Sequence, residues 1–154
     1  MTNISYDYIR GLVQGTGSFT FTTSTKLGSL RMRRIPTFQL RTHASNQKLL
    51  GEIRDLLDLK NKIYTYHYPG KDRANRKPVA ILLIREFSAL KNVIIPLFYG
   101  QLVGDKADEF NDWLKKIESD HTVPKSYKLF YRLYKSGYYE RELCRGGSFE
   151  KFVK

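Results

Sequence analysis

The spacing of hydrophobic residues changes along the chain, and each change marks an element. Over residues 5–14, Ile9, Leu12 and Val13 recur at helical spacing, with Ser5 placed to cap and Asp7 placed to complement the helix dipole. Gly11 and Gly15 share one face of this helix. Glycine inside a helix costs ~1 kcal/mol relative to alanine, so the pair implies a groove where another backbone approaches closely. Over 18–24 the period falls to two. Phe19 and Phe21 take one side, and Thr20, Thr22 and Ser24 the other, which predicts a half-buried strand. After a loop at 26–29 a second strand is predicted over 31–42, with Phe38 and Leu40 inward and Arg33, Thr37, Gln39 and Arg41 on the opposite parity. Residues 46–59 return to the helical period through Leu49, Leu50, Ile53, Leu56 and Leu57.

A third strand follows over 62–68. Ile63 points inward, and Lys62, Tyr64, Tyr66 and Tyr68 take the other side. The basic run 71–77, containing Lys71, Arg73 and Arg76, reads as a hairpin loop. The strand at 79–84 is apolar on both parities, which leaves its faces open. Three helical segments are expected after it: 87–99, interrupted near Pro96; 105–117, with Phe110, Trp113, Leu114 and Ile117 as its stripe; and 126–139. Gly146 and Gly147 are expected to loosen the tail. Two hairpins separated by a helix predict an α+β fold, an antiparallel sheet with helices on one face. The other face then carries Arg, Lys, Gln, Thr and Tyr, which suit phosphates and base edges.

Charge sharpens that expectation. The 154 residues include 27 basic and 15 acidic side chains, a formal charge of +12. A basic domain this small points to a polyanion, with nucleic acid the first candidate. Cys144 is the only cysteine, so an internal disulfide is excluded and a cysteine-rich zinc site has no basis. His43, His67 and His121 are far apart in sequence and read as packed or solvated side chains. No apolar run approaches the roughly 18 residues of a membrane span, and no signal peptide is visible, so a soluble intracellular protein is expected.

The run GLVQGTGSF, residues 11–19 and preceded by Ile9, resembles the LAGLIDADG motif of homing endonucleases. The αββαββα order agrees, as does the later stretch Ile94, Ile95, Pro96, Leu97 and Phe98 leading to Leu102, Lys106, Phe110 and Trp113. The resemblance covers most of the chain and implies one domain over 1–154. In it a motif helix (5–16) precedes a saddle-shaped sheet, and C-terminal helices and tail occupy 105–154. It also implies a mechanism. Motif helices of two domains pack through their glycines, here Gly11 and Gly15 with Leu12. Each end projects an acid toward the DNA, and these carboxylates hold divalent metal, Mg²⁺ being expected, to hydrolyse phosphodiesters. One motif copy implies a homodimer on a pseudo-palindromic duplex site.

The pattern breaks at the acid. Thr16 stands where the metal ligand belongs, and Gln14 stands at the earlier acidic position. A neutral hydroxyl is a poor Mg²⁺ ligand, and the Gly15 carbonyl brings no charge. No metal ligand is therefore assigned, and Mg²⁺ binding is doubtful. Thr42 is the nearest candidate to place water, and Lys106 resembles a basic residue flanking the cleavage site. The DNA-contacting set implied is Thr20, Thr22, Ser24, Arg31, Arg33, Thr37, Gln39, Arg41, Lys62, Tyr64, Tyr66, Tyr68, Lys71, Arg73 and Arg76. The reading is sequence-specific binding of double-stranded DNA with impaired cleavage. Two alternatives stay open: an RNA maturase assisting intron splicing, and a non-cleaving DNA-binding regulator on the same scaffold.

Overall fold

Ser5 starts the first helix. Its hydroxyl accepts the Tyr8 N–H at 3.0 Å, satisfying one of the donors a helix start leaves open. The computed structural model describes residues 4–25, 32–67 and 77–153. Helix α1 (Tyr6–Thr16) ends at Gly17, which is already extended and opens β1 (Gly17–Thr25). Close approach dictates glycine there, since a Cβ would lie 2.6 Å from Val13 Cγ1 and 3.0 Å from Val13 Cα. The chain continues through β2 (Met32–His43), α2 (Gln47–Leu56), β3 (Ile63–Tyr66) and β4 (Val79–Ile84). Helical segments α3 (87–98), α4 (Gly104–Ser119), α5 (Leu129–Lys135) and α6 (Tyr138–Glu142) follow.

The four strands form one antiparallel sheet in the order β1-β2-β4-β3. The register sets Phe19 opposite Phe38, Phe38 opposite Ile84, and Leu40 opposite Leu82. These side chains share a pleat side and are buried beneath the helices with Ala80. Phe19 sits at the centre of an aromatic cluster. Its ring lies 4.9 Å from Phe110, 5.4 Å from Trp113, 5.5 Å from Phe38 and 5.7 Å from Phe98. Helix α4 also covers the open edge of β1. Trp113 Nε1 donates to the Thr20 carbonyl at 2.8 Å, and Glu109 accepts the Phe19 N–H at 3.0 Å. An edge strand otherwise leaves such groups bare.

The apolar-on-both-sides strand resolves through this register. Ala80, Leu82 and Ile84 face the helices, so Val79, Ile81 and Leu83 lie on the other side. Pro96 does not interrupt α3. The segment Leu90–Ile94 is a π-helical turn that leads directly into Ile95–Phe98, all buried. Proline lacks an N–H and crowds the carbonyl one turn back, and the wider turn absorbs both effects. The helix expected over 126–139 is divided. A 3₁₀ turn (Lys125–Lys128) precedes α5, and Gly137, at φ +82°, separates α5 from α6. The helix expected to reach residue 59 stops at Leu56, just before Asp58 takes a left-handed conformation.

The tail is not loose. Phe149 and Phe152 are buried, and Phe152 meets Tyr6 edge-on at 5.0 Å. Arg10 ties this turn to α1. Its Nη2 donates to the Phe152 carbonyl at 2.5 Å, its Nε donates to the Leu97 carbonyl at 2.8 Å, and its Nη1 pairs with Asp7 at 2.8 Å. A guanidinium buried to this degree needs such partners. Among the described residues, no helix is long and apolar enough to cross a membrane.

Candidate nucleic-acid interface

The sheet face turned away from the helices follows from the same register. Ser18 lies opposite Gln39, Thr20 opposite Thr37, and Ser24 opposite Arg33. Gln39 lies opposite Leu83, and Arg41 opposite Ile81, which in turn faces Tyr64. A shallow depression of about 490 Å³ is lined by Gln39, Arg41, Tyr64, Tyr66, Ile81, Leu83 and Arg85. Arg33, Arg41, Lys62, Tyr64, Tyr66 and Arg85 are exposed, while Thr20, Ser24 and Gln39 are half-buried. No sequence signal singles out Arg85. It continues the 81, 83 alternation of β4, which the register assigns to this face. Its carbonyl accepts the Tyr127 hydroxyl at 2.8 Å, and burial, then the Glu86 charge, raise that phenol above its ordinary pKa.

Thr37 corrects the expectation placed on it. It has the expected parity but is fully buried, and its hydroxyl donates to the Ile35 carbonyl at 2.9 Å and lies 3.0 Å from the Thr22 hydroxyl. Thr37 is closed to any ligand, and Thr22 spends its hydroxyl on a neighbour. Arg31, Tyr68, Lys71, Arg73 and Arg76 lie outside the described residues.

At the end of α1 the side chains are engaged by the fold. Thr16 Oγ1 donates to the Leu12 carbonyl at 2.9 Å, one turn back along its own helix. Gln14 forms a two-bond clasp with the backbone of Val103. Its Nε2 donates to the Val103 carbonyl at 3.1 Å, and its Oε1 accepts the Val103 N–H at 2.9 Å. A carboxylate could make only the second of these bonds. Lys106 Nζ donates to the Gly17 carbonyl at 2.6 Å and pairs with Glu109 at 3.1 Å. Lys106 therefore stands beside the motif, yet it is a neutralised strut and not a solvated lysine. Thr42, opposite Ala80, shares the pleat side of Phe38 and Leu40 and not that of Gln39 and Arg41. Gly11 and Gly15 are exposed, and a Cβ added at either would meet nothing within 4 Å, while Leu12 is half-buried against the core. Exposed Tyr8 extends that stripe by one turn.

A sequence profile described as "LAGLIDADG endonuclease" matches residues 9–117. The chain belongs to this family. No curated protein is significantly similar in sequence. Among solved structures, the meganuclease I-SmaMI bound to uncleavable DNA shares 25% identity at a TM-score of 0.60, over 88% of this chain and 45% of its own. The homing endonuclease I-GzeII in complex with its DNA target shares 25% identity at 0.56, over 88% of this chain and 44% of its own. I-TnaI shares the fold at 0.61 and 16% identity, covering 99% of this chain and 95% of its own. The chain thus spans less than half the length of these two DNA-bound relatives and nearly the whole of I-TnaI.

The family's divalent metal does not fit the donors this LAGLIDADG chain presents. The motif end offers a hydroxyl that is already donating and peptide carbonyls, and the nearby Glu109 carboxylate is held by Phe19 and Lys106. Among the described residues, no group of three or more His, Cys, Asp or Glu is arranged to hold a metal ion. Mg²⁺ prefers charged oxygen ligands.

Proposed function

We propose that this chain binds double-stranded DNA sequence-specifically as a homodimer, one sheet per half-site of a pseudo-palindromic target, with phosphodiester cleavage impaired at Thr16. The observation that carries the reading is the open sheet face. Gln39, Arg41, Tyr64, Tyr66 and Arg85 converge on one depression in a chain of formal charge +12. Relatives of 25% identity are described as bound to DNA, which supports the same partner. The cationic rim supplies affinity through counterion release, and the amide and guanidinium groups supply base discrimination. The exposed, unencumbered Gly11 and Gly15 face supports pairing with a second copy, since another helix can approach there at backbone distance.

The test is selection of bound sequences from a randomised duplex library, followed by cleavage assays in Mg²⁺ and Mn²⁺ on native protein and on Thr16→Asp. The expected result is salt-sensitive, sequence-preferring binding by both proteins, with metal-dependent cleavage confined to Thr16→Asp. Efficient cleavage by native protein, or preference for a structured RNA over duplex DNA, would overturn the reading.

A further inference from the structure

One part of the open face is apolar, and its position is informative. Ile81 and Leu83 stand on the basic side of the sheet, flanked by Arg41 and Gln39 on β2 and by Tyr64 on β3. Gln39 lies directly opposite Leu83, so a planar amide and a branched aliphatic group sit side by side at one level of the face. An A·T pair presents the matching couple in the major groove. Adenine N6 and N7 take a bidentate amide, and only thymine carries a C5 methyl group. Strand neighbours about 4.8 Å apart can meet the two bases of one pair.

The tyrosines fit groove contact better than base stacking. The Tyr64 and Tyr66 rings stack on each other at 6.4 Å and 28°. The Lys62 ammonium lies over the Tyr64 ring at 5.7 Å. Residues 62 and 66 lie on either side of Tyr64 along the chain, so its ring has a neighbour in both directions. A ring braced in this way is less free to stack on an unpaired base and offers a methyl group a rigid wall.

We infer that the β3–β4 part of the face reads thymine through its C5 methyl group, with Tyr64 and Leu83 as the apolar contact, buried Ile81 backing them, and Gln39 reading the adenine partner. This rests on the duplex-DNA reading and adds a base class to it. The occupant is the edge of an A·T pair in a duplex held by the surrounding cations.

The experiment replaces each thymine of a selected duplex, one at a time, by deoxyuracil, which keeps pairing and removes only the methyl. Native protein is expected to lose about fourfold in affinity at one or two positions per half-site, the worth of one buried methyl-sized group. In Leu83→Ala, and separately in Tyr64→Ser on the exposed edge strand, the thymine and deoxyuracil duplexes should bind equally, whatever either variant does to duplex affinity as a whole. Two variants on different strands guard against a folding defect in either. Equal binding of every deoxyuracil duplex by native protein would overturn the inference, as would a thymine preference that survives in both variants. Absence of any sequence-preferring duplex binding would instead overturn the DNA reading itself.

Discussion

Replacing Gly11 and Gly15 together by alanine gives opposite results in an isolated protomer and in a dimer packed through α1. In the protomer a Cβ at either position meets nothing within 4 Å, so no steric cost arises. Gly11 lies mid-helix and Gly15 one residue before its end. Relief of the helix penalty is worth about 0.5–1 kcal/mol each, so the pair should stabilise a lone protomer by about 1–2 kcal/mol. With a urea dependence of about 2 kcal/mol/M, the midpoint rises by about 0.5–1 M. In a dimer built on this face, the same change inserts one methyl per glycine from each protomer where backbones meet. Overpacking costs ~1–3 kcal/mol per site, which sums to about 4–12 kcal/mol, from half of the roughly 8 kcal/mol that holds a micromolar pair to more than all of it. Sedimentation of native and doubly substituted protein from nanomolar to tens of micromolar, with urea melts at each concentration, reads both effects. The expected outcome is a native dimer and a monomeric variant that unfolds later than native protein at low concentration. An unchanged dimer affinity in the variant would refute the glycine-face argument, and so would a native protein that stays monomeric throughout.

Other outcomes follow from single side chains. Arg10→Met should cost about 2–5 kcal/mol in a urea melt, because it strands the Leu97 and Phe152 carbonyls without a donor. Asp120 is held below its ordinary pKa first by the Thr122 hydroxyl, then by the Thr122 N–H and Arg34. A depressed carboxylate stabilises the fold above its unfolded pKa of about 4, and that contribution fades as pH falls through the folded value. Asp120→Asn should therefore lower the urea midpoint near pH 7 and converge on native protein in acid. A constant gap across pH would contradict that assignment.

What the sequence exposed was set by local period. Phe19 and Phe21 against Thr20 and Thr22 announced two faces, and the register placed them as the alternation implied. Where period carries no information, pairing had to decide. Ile81 and Leu83 could not be assigned a side until β4 was seen beside β2. Contacts between residues far apart in sequence were the least legible. Lys106 and Glu109 are neighbours on any helix, but the Gly17 carbonyl that makes Lys106 a strut is distant in the chain. Thr37 followed its parity and was still buried, because exposure depends on diagonal neighbours such as Thr22 and not on alternation alone. The tail misled for a related reason: glycines at 146 and 147 suggested slack, whereas Phe149 and Phe152 supplied the burial.

The bond from Arg10 to the Phe152 carbonyl sets a schedule for biosynthesis. Its partners are separated by 142 positions, so the first helix cannot finish docking until nearly all of the described chain has left the ribosome. Until then the guanidinium lacks one acceptor, and the ring of Tyr6 lacks Phe152. The sheet and its hairpins can form earlier from nearer contacts. A chain stopped short of its final turn would keep the bonds of this glycine-bearing helix to Leu97 and Val103 but lack the clamp that Arg10 and Tyr6 make with Phe152.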